Sequence, residues 1–255
     1  DITSHVSGNK FVWKVPEGQW RLMAFWLRHT GQKSLFHHPC VDHFSRKAMT
    51  NYCEFLGGKL LKVIGDEFGK TVEAFHCDSF EMANLPTGIY WSDSLMTEFY
   101  RLKGYDLTTY LPAIWWDVGN ISPKIRYDVS DLLDHVGFDV FFDTFLNWCT
   151  EHGVKGSMEP IGFPTDVIQS AGKAPLPMLE LTPGEKGTVP WFDNRIGPKK
   201  YISSGAHLYG RNVVAVEAYT YIHWELYRAT LEELKIASDG FFCTGANKFI
   251  NHGYS

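Results

Sequence analysis

The sequence lacks several features that would assign it to common protein classes. No stretch of 18 consecutive apolar residues occurs in its 255 residues, so nothing in it is long and apolar enough to span a membrane. Lys and Arg form no cluster and the net charge is −5, so the basic surface needed to bind nucleic acid is missing. The patterns Gly-x-Gly-x-x-Gly and Gly-x-Ser-x-Gly do not occur either. A neutral or weakly charged ligand therefore fits better than a nucleic acid.

Cysteine is scarce and poorly placed for a shared function. The five cysteines include no C-x-x-C pair, which excludes zinc and redox motifs, and their odd number does not favour a disulfide framework. Most stand beside apolar residues, as Cys77 and Cys243 do, and we expect buried free thiols. No basic segment followed by an apolar run marks a signal peptide. The abrupt start at Asp1 and end at Ser255 predict a fragment or a chain whose leader has been removed.

Aromatic residues are abundant in an otherwise ordinary globular composition. The sequence holds 9 Trp, 12 Tyr and 18 Phe, with 44% apolar and 21% charged residues. A core of large side chains accounts for these rings as well as a ligand cleft does. In the second interpretation, flat rings line a cleft and pack on the apolar faces of a sugar. The composition leaves both interpretations open.

Residues 1–39 are predicted to be an extended entry segment followed by a loop. Strand-like patterns cover residues 11–15 and 20–26, with a turn between them, and residues 28–39 are polar. Ser45 is placed to cap a helix that runs to about Ile64. The apolar face predicted for that helix carries Ala48, Tyr52, Phe55 and Leu56.

From residue 40 onward, short apolar runs alternate with helical patterns. The runs cover residues 72–77, 154–158, 177–179, 213–216 and 248–250, and helices are predicted over residues 95–103, 131–152 and 227–237. Such alternation predicts parallel strands joined by crossover helices, an α/β fold. Two long segments, residues 105–126 and 182–210, are too polar and turn-rich for the core, and we expect them to be loops that shape a site.

Acidic or polar residues follow the predicted strands. The positions are Asp78 and Glu81, then Glu159, Glu180 and Glu217, with His252 after the last strand. In a (β/α)₈ barrel the carboxyl ends of the strands surround one active site, so these side chains should converge there. Clustered carboxylates suit glycoside hydrolysis, a hard cation such as Ca²⁺, or both together. Crowding and burial would raise the pKa of one carboxyl and leave another low.

His76 precedes Asp78 by two residues and shares its side of the strand. Hydrogen bonding to a carboxylate and a purely structural inner position are equally consistent with the pattern. His37, His38 and His43 lie close in sequence, but adjacent residues seldom point the same way, so they are a poor prediction for a metal site.

With these residues the chain resembles the catalytic barrel of glycoside hydrolase family 106, the α-L-rhamnosidases. The resemblance covers nearly the whole chain, and its motifs are specific in combination although each is weak alone. They are Val-Pro-Glu-Gly-Gln-Trp20, Val41-Asp-His-Phe-Ser45, Phe75-His-Cys-Asp-Ser-Phe-Glu81, the segment from Lys103 to Pro112 that includes Gly-Tyr-Asp-Leu, His152-Gly-Val, Glu159-Pro-Ile-Gly-Phe-Pro164, Pro177-Met-Leu-Glu180, Val216-Glu-Ala-Tyr-Thr220, and the segment Gly245–Gly253 ending in Asn-His-Gly.

The resemblance implies an inverting hydrolase that removes terminal α-L-rhamnose with Ca²⁺ assistance. Glu81 takes the position of the general acid and Glu217 that of the general base. Glu180 would share the base role or, with Glu159, hold the ion, and Asp78 would orient Glu81 or contact the sugar. The residues predicted to bind substrate are His76, Asp78, Asp42, Glu159, Glu180, Trp224, Asn247 and His252.

The chain also departs from the family pattern. Members are much larger, whereas only five or six barrel strands can be counted here, so residues 40–255 are predicted to be an incomplete TIM-type barrel. Its remainder would belong to a larger chain, because an open barrel exposes sheet edges. A retaining glycosidase for another sugar and a non-catalytic carbohydrate-binding remnant stay as alternatives. The family's role in degrading external polysaccharides implies a periplasmic or secreted location.

Overall fold

A computed structural model describes residues 1–29, 31, 40–78, 80, 89–160, 162–180, 200–220 and 229–252. Its first regular element is a small antiparallel hairpin of β1 (Val6–Ser7) and β2 (Lys10–Phe11). Residues 12–29 then run without regular secondary structure, so the strands predicted over residues 11–15 and 20–26 are wrong apart from Phe11. The reason is the lack of a partner strand among the described residues, without which a strand's backbone groups stay unpaired.

Helix α1 (Arg46–Ile64) forms where the sequence predicted it. Ser45 caps it, its hydroxyl accepting a hydrogen bond from the Ala48 amide at 3.4 Å. The predicted buried face is wrong, however, because Met49, Cys53 and Gly57 point inward. Gly57 decides this orientation, since a Cβ there would lie 2.3 Å from the Trp148 ring. The large apolar side chains predicted to be buried lie in solvent instead: Tyr52, Phe55 and Leu56.

Five parallel strands follow in chain order and form one sheet. They are β3 (Ala74–Cys77), β4 (Lys155–Met158), β5 (Leu176–Glu180), β6 (Ala215–Ala218) and β7 (Lys248–Asn251), arranged β3-β4-β5-β6-β7. All five predicted strands of this region are therefore confirmed. The prediction for β6 ended two residues early, since Glu217 and Ala218 belong to the strand itself. The fold is α/β, with a curled sheet that resembles half of a barrel.

Helices connect the strands. They are α2 (Leu95–Lys103), α3 (Pro112–Trp115), α4 (Ser122–Val136), α5 (Asp143–Glu151), α6 (Val167–Lys173), α7 (Tyr201–Leu208) and α8 (Leu231–Thr244), and a π-helical turn, Gly137–Phe142, joins α4 to α5. The helix predicted over residues 131–152 thus begins nine residues earlier, and α8 begins after a capping box formed by Thr230 and Glu233.

The two segments predicted as site-shaping loops contain core residues. Within residues 105–126, Leu107, Ala113 and Ile125 are fully buried, and within residues 182–210 α7 buries Ile202 and Ala206. The first prediction is wrong for residues 105–126 and the second for residues 201–208, because apolar residues recur there at helical spacing, which an average over the segment conceals. Residues 181–199 lie outside the described part of the chain.

The two faces of the sheet are distinguished by their packing. Leu179 and Val216 contact an outer layer formed by α6, α7 and α8. On the other face, Leu176, Met178 and Ala215 form a small apolar cluster that Ala74 joins. Because side chains alternate along a strand, the residues on this concave face also include His76, Glu180 and Glu217.

The curl of the sheet is visible at the amino ends of its strands. Lys248, on β7, forms an ion pair with Glu73, which immediately precedes β3. Lys155, on β4, approaches the same carboxylate at 3.2 Å. In a flat sheet β3 and β7 would be four strand spacings apart, roughly 19 Å, beyond the reach of the two side chains. The sheet must therefore bend so that its first and last strands face each other.

All five cysteines are free. Cys53 and Cys149 are buried and Cys77 is partly buried, as predicted, whereas Cys40 and Cys243 are exposed. No helix in the described residues combines the length and apolar character needed to cross a lipid bilayer.

Candidate functional site

The carboxyl ends of the strands bring acidic residues to one edge of the sheet. Glu180 and Glu217 are register partners on β5 and β6. The Glu159 amide donates to the Cys77 carbonyl at 3.0 Å, which extends the β3–β4 pairing by one residue and fixes the level of Glu159. In the same way the His252 amide donates to the Ala218 carbonyl at 2.9 Å.

Four of these side chains meet over the concave face. His76, Asp78, Glu159 and Glu217 each offer one potential ligand atom, and the four atoms lie within 4.8 Å of one another. Residues on β3 and β6 would stand three spacings apart in a flat sheet, roughly 14 Å. The curl described above therefore assembles the cluster, which we call the carboxylate cluster.

Glu159 is the most deeply placed member of the carboxylate cluster. It is 3% exposed, and neither of its carboxylate oxygens has a hydrogen-bond partner of good geometry among the described residues. Burial, followed by the charges of Glu217 and Glu180 and the nearby Asp78, raises the pKa of Glu159 to about 9. A buried carboxyl in these surroundings holds its proton at neutral pH unless a cation offsets the charge.

Glu217 is half-buried and lies between opposing influences. Burial and the carboxylate of Asp78 raise its pKa, whereas His252 lowers it. The His252 Nε2 atom stands 3.7 Å from the Glu217 Oε1 atom. Glu180 adds a further negative charge that raises the pKa of Glu217. The net effect of these neighbours and of burial is to raise the pKa of Glu217.

His76 is oriented by β4. Its Nδ1 atom lies 3.3 Å from the Ser157 hydroxyl, and the two residues are register partners. Burial lowers the pKa of His76, although the charge of Asp78 acts in the opposite direction. The ring is therefore neutral at neutral pH, with one nitrogen available to the carboxylate cluster.

Tyr219 has a strained backbone conformation next to the site. It has φ of 69° and is the one residue other than glycine with positive φ in the described chain. Its hydroxyl lies 2.8 Å from the Ser238 hydroxyl on α8. Left-handed backbone costs a bulky residue about 1–3 kcal/mol and persists where the surroundings impose it, as at functional sites. Here it redirects the chain two residues after Glu217.

Asp42 and Asn247 are not among the four residues of the carboxylate cluster. Asp42 accepts a hydrogen bond from the Phe44 amide at 3.0 Å, which stabilises a local turn, and another from the Ser92 hydroxyl at 2.8 Å, which ties this turn to the segment before α2. Asn247 needs correction, because it precedes β7 and lies at the amino ends of the strands, where its side chain bonds to the backbone of Asn212 and Val214. Glu81 and Trp224, as well as His37 and His38, lie outside the described residues.

Sequence reasoning missed Ser157 and Tyr219. Ser157 precedes Glu159 by two residues, as His76 precedes Asp78, so the same spacing that identified His76 also identifies Ser157. Tyr219 gave no comparable signal, because Ala-Tyr-Thr after a strand does not predict positive φ.

The donor set of the carboxylate cluster suits a cation. Three carboxylates, those of Asp78, Glu159 and Glu217, are ligands that Ca²⁺ accepts, and the unpartnered oxygens of Glu159 are the kind of buried charge that a metal ion compensates. An imidazole such as that of His76 suits a transition metal better than Ca²⁺. Glu180, predicted as an ion ligand, is not among the four converging atoms.

An α/β framework that gathers carboxylates at the carboxyl ends of parallel strands defines a class of acid-lined sites suited to general acid–base chemistry. Comparison with known proteins gives the particular family. The whole chain, residues 1–255, matches the alpha-L-rhamnosidase family of glycoside hydrolases, family 106, and belongs to it.

Two relatives place this assignment in context. The chain is 30% identical over 267 residues to a protein of Formosa agariphila provisionally named a beta-glucuronidase, covering 100% of this chain and 22% of that protein. It also resembles the solved structure of a rhamnosidase from Novosphingobium sp. PP1Y, with 25% identity, a TM-score of 0.69, and coverage of 85% of this chain and 21% of that one. The chain thus spans about a fifth of the length of each.

Proposed function

We propose that this chain supplies the catalytic face of a glycosidase that releases terminal α-L-rhamnose. The observation that carries the proposal is the convergence of Asp78, Glu159 and Glu217 at the strand ends within 4.8 Å, in a member of the alpha-L-rhamnosidase family. A neutral deoxy sugar suits such a site, because its hydroxyls can donate hydrogen bonds to carboxylates and its apolar edge needs no charged partner.

The proposed mechanism is inversion, with Glu81 as general acid and Glu217 as general base. In inverting enzymes the two carboxyl groups stand roughly 6.5–9.5 Å apart, with room for a water molecule between one of them and the sugar. Asp78 and Glu159 approach Glu217 more closely than that. Neither fits the acid of an inverting pair with Glu217, which supports assigning that role to Glu81 from the family motif.

We propose Ca²⁺ as the cation of the carboxylate cluster. Asp78 and Glu159 would hold it, with Glu180 and Glu217 adding negative charge beside them. The ion would offset the crowded negative charge and orient the sugar hydroxyls. The chain's own groups then supply the proton transfers, and the His76–Ser157 contact keeps one wall of the site in place.

We further propose that residues 40–255 complete a TIM-type barrel within a longer protein and that residues 1–39 lead into it. The exposed apolar side chains of residues 12–27 support this, Val12 at 74% and Trp26 at 83% exposure, because large apolar patches seldom face water. Tyr52, Phe55 and Leu56 of α1 add a second apolar surface. A periplasmic or secreted location remains part of the proposal, since polymeric glycans are degraded outside the cytoplasm.

A glucuronide is the second candidate substrate, because one relative carries that name. A glucuronide bears a carboxylate of its own. The carboxylate cluster alone would repel this charge, but the proposed Ca²⁺ would offset the repulsion. Rhamnose is the favoured sugar because the whole chain matches the alpha-L-rhamnosidase family.

The deciding experiment offers the full-length protein an aryl α-L-rhamnoside and an aryl β-D-glucuronide. We expect turnover of the rhamnoside at least tenfold faster at equal concentration, and proton NMR should first detect the anomer opposite to that of the substrate. Faster turnover of the glucuronide would overturn the substrate assignment. Initial release of the same anomer would replace inversion with retention, and saturable binding without turnover would favour a non-catalytic carbohydrate-binding remnant.

Calcium is tested separately by thermal unfolding. We expect chelator-treated protein to gain stability when Ca²⁺ is added, because a ligand that binds only the folded state stabilises it by RT ln(1 + [L]/Kd), about 2.7 kcal/mol at a hundredfold excess over Kd. The Glu159→Gln variant should lose most of this gain. A shift that is absent, or is unchanged in the variant, would remove the ion from the carboxylate cluster.

A further inference from the structure

The Phe80 side chain packs between the segment that follows β3, which carries Asp78, and the segment that follows β4, which carries Glu159. It lies two residues after Asp78 and is 9% exposed. Its ring meets Phe163 edge-on at 4.5 Å and Phe141 at 5.8 Å. Phe163 follows Glu159 by four residues, so the contact joins the chain leaving β3 to the chain leaving β4.

The backbones of the same two segments also approach each other closely, at Phe80 and Gly162. Gly162 has φ of 79°, and a Cβ there would lie 2.0 Å from the Phe80 carbonyl oxygen. Glycine is therefore required both for its backbone conformation and for the close approach of the two segments. A side chain at position 162 would push apart the chain that follows Asp78 and the chain that follows Glu159.

His43, in the segment before α1, packs against the Phe80 ring from another side. Its ring stands edge-on to Phe80 at 4.4 Å and to Phe141 at 4.7 Å. The Nδ1 atom is buried and has no hydrogen-bond partner among the described residues. Burial lowers the pKa of His43 to about 4, so the ring is neutral and packs as an aromatic group.

The π-helical turn, Gly137–Phe142, provides another side chain that contacts Phe80. Phe141 lies in this turn, and the Arg46 guanidinium at the start of α1 donates to the Asp139 carbonyl at 2.6 Å. The contact ties the turn to the same helix that His43 precedes. π-Helical turns inside α-helices are frequently found at functional sites, because they redirect side chains that an α-helix would aim elsewhere.

We infer that Phe80, held by His43, Phe141, Phe163 and Gly162, is a positioning residue that sets the distance between Asp78 and Glu159 in the active site. We call this group the Phe80 clamp. The inference rests on the proposed function, since it assigns the clamp a role in that reaction. The physical basis is the short chain distance between the two residues. Asp78 directly follows β3 and precedes Phe80 by two residues, so a shift of the Phe80 backbone also moves the Asp78 carboxylate. Misplacing a reacting or orienting group by about 1 Å can cost about 10²-fold in rate.

The test compares Phe80→Leu with Phe99→Leu in the full-length protein. Both phenylalanines belong to the same hydrophobic cluster, but the ring of Phe99, on α2, meets Tyr105 instead of the clamp. Both variants lose a buried ring and should melt at lower temperature. Measured well below either melting temperature, kcat should fall at least tenfold for Phe80→Leu and less than twofold for Phe99→Leu, with KM changing less than kcat in the former.

Hydrogen exchange supplies a readout that does not depend on turnover. The amides of Glu159, Gly162 and Phe163 should exchange at least tenfold faster in Phe80→Leu than in Phe99→Leu, because the clamp holds the segment after β4 against the segment after β3. Unchanged exchange would overturn the clamp whatever the activity. Equal losses of kcat in the two variants would overturn its role in positioning. An unmodified protein that turns over no glycoside would instead overturn the proposed function, and exchange would still decide the clamp.

Discussion

The acidic residues at the two ends of the parallel sheet have opposite electrostatic surroundings. At the amino ends, one carboxylate, Glu73, faces two ammonium groups, those of Lys155 and Lys248. These lysines lower the pKa of Glu73. At the carboxyl ends, acidic groups face one another, and burial with mutual repulsion raises the pKa of both Glu159 and Glu217. Within the described part of the chain, the carboxylate at the amino ends is paired with lysines, whereas Glu159 at the carboxyl ends has no hydrogen-bond partner of good geometry.

This contrast between the two ends distinguishes charged groups that stabilise the fold from charged groups that suit the binding of a ligand. An exposed ion pair contributes little to stability but costs little, so it can brace a sheet. Buried like charges destabilise the fold and persist where a cation, a proton or a substrate compensates them. Three predictions test the contrast.

The largest effect is expected when single carboxylates at the two ends are neutralised and activity is measured. Glu217→Gln and Glu81→Gln should each reduce kcat/KM on an α-L-rhamnoside with a poor leaving group by about 10²-fold or more, as loss of a general acid or base does. Glu73→Gln is the matched control and should stay within about twofold. If Glu73→Gln were as damaging as Glu217→Gln, the functional division between the ends would be lost.

The next effect concerns stability and pH. The pKa of Glu159 is raised to about 9 from an ordinary 4.5. Below pH 4.5 the carboxyl is protonated in both the folded and the unfolded state and costs nothing. As pH rises towards 9 only the unfolded state ionises, so stability is lost, by about 3 kcal/mol at pH 7. In chelator, Glu159→Gln should therefore lose less stability than the unmodified protein between pH 5 and pH 8.

Urea unfolding at the two pH values measures this difference. Because Gln cannot ionise, the gap between variant and unmodified protein should open with rising pH and narrow again on adding Ca²⁺ to the unmodified protein. Parallel pH profiles for the two proteins would show that Glu159 ionises freely in the folded state, contrary to its burial.

The smallest effect is expected at the amino ends. Lys248 and Lys155 lower the pKa of Glu73, so its contribution is present above the ordinary pKa of 4.5 and is lost as pH falls through that region. The pair is half-exposed and solvent screens it, so Glu73→Gln should reduce stability at pH 7 by less than about 1 kcal/mol. The loss should shrink in 1 M salt, where the screening length is about 3 Å. A larger, salt-independent loss would indicate a buried interaction instead.

Sequence patterns predicted the sheet better than the helices that cover it. Each parallel strand is a short apolar run between polar residues, a local signal, and all five strands were found. The burial of Ile202 on α7 and the inward turn of Gly57 on α1 depend on what packs against them, which no local pattern contains. The extended residues 12–29 show the converse, since a strand-like pattern formed no strand without a partner.

For the site, the sequence predicted the convergence of Asp78, Glu159 and Glu217, because parallel strands align their carboxyl ends. It misplaced Asn247, which precedes β7, whereas the family-like Asn-His-Gly motif begins at Asn251, the last residue of β7. It could not predict that Glu159 is the buried member, since burial at a strand end depends on the curl of the whole sheet.

The Lys248–Glu73 pair also bears on the order in which the chain folds. Its partners are 175 residues apart, whereas Lys155 follows Glu73 by only 82. At a synthesis rate of 5–20 residues per second, Glu73 is added to the chain roughly 9–35 s before Lys248. Lys155 arrives in about half that time and can hold the carboxylate meanwhile. The contact between Lys248 and Glu73, which spans the bend of the sheet, can therefore form only after the contact between Lys155 and Glu73 has become available.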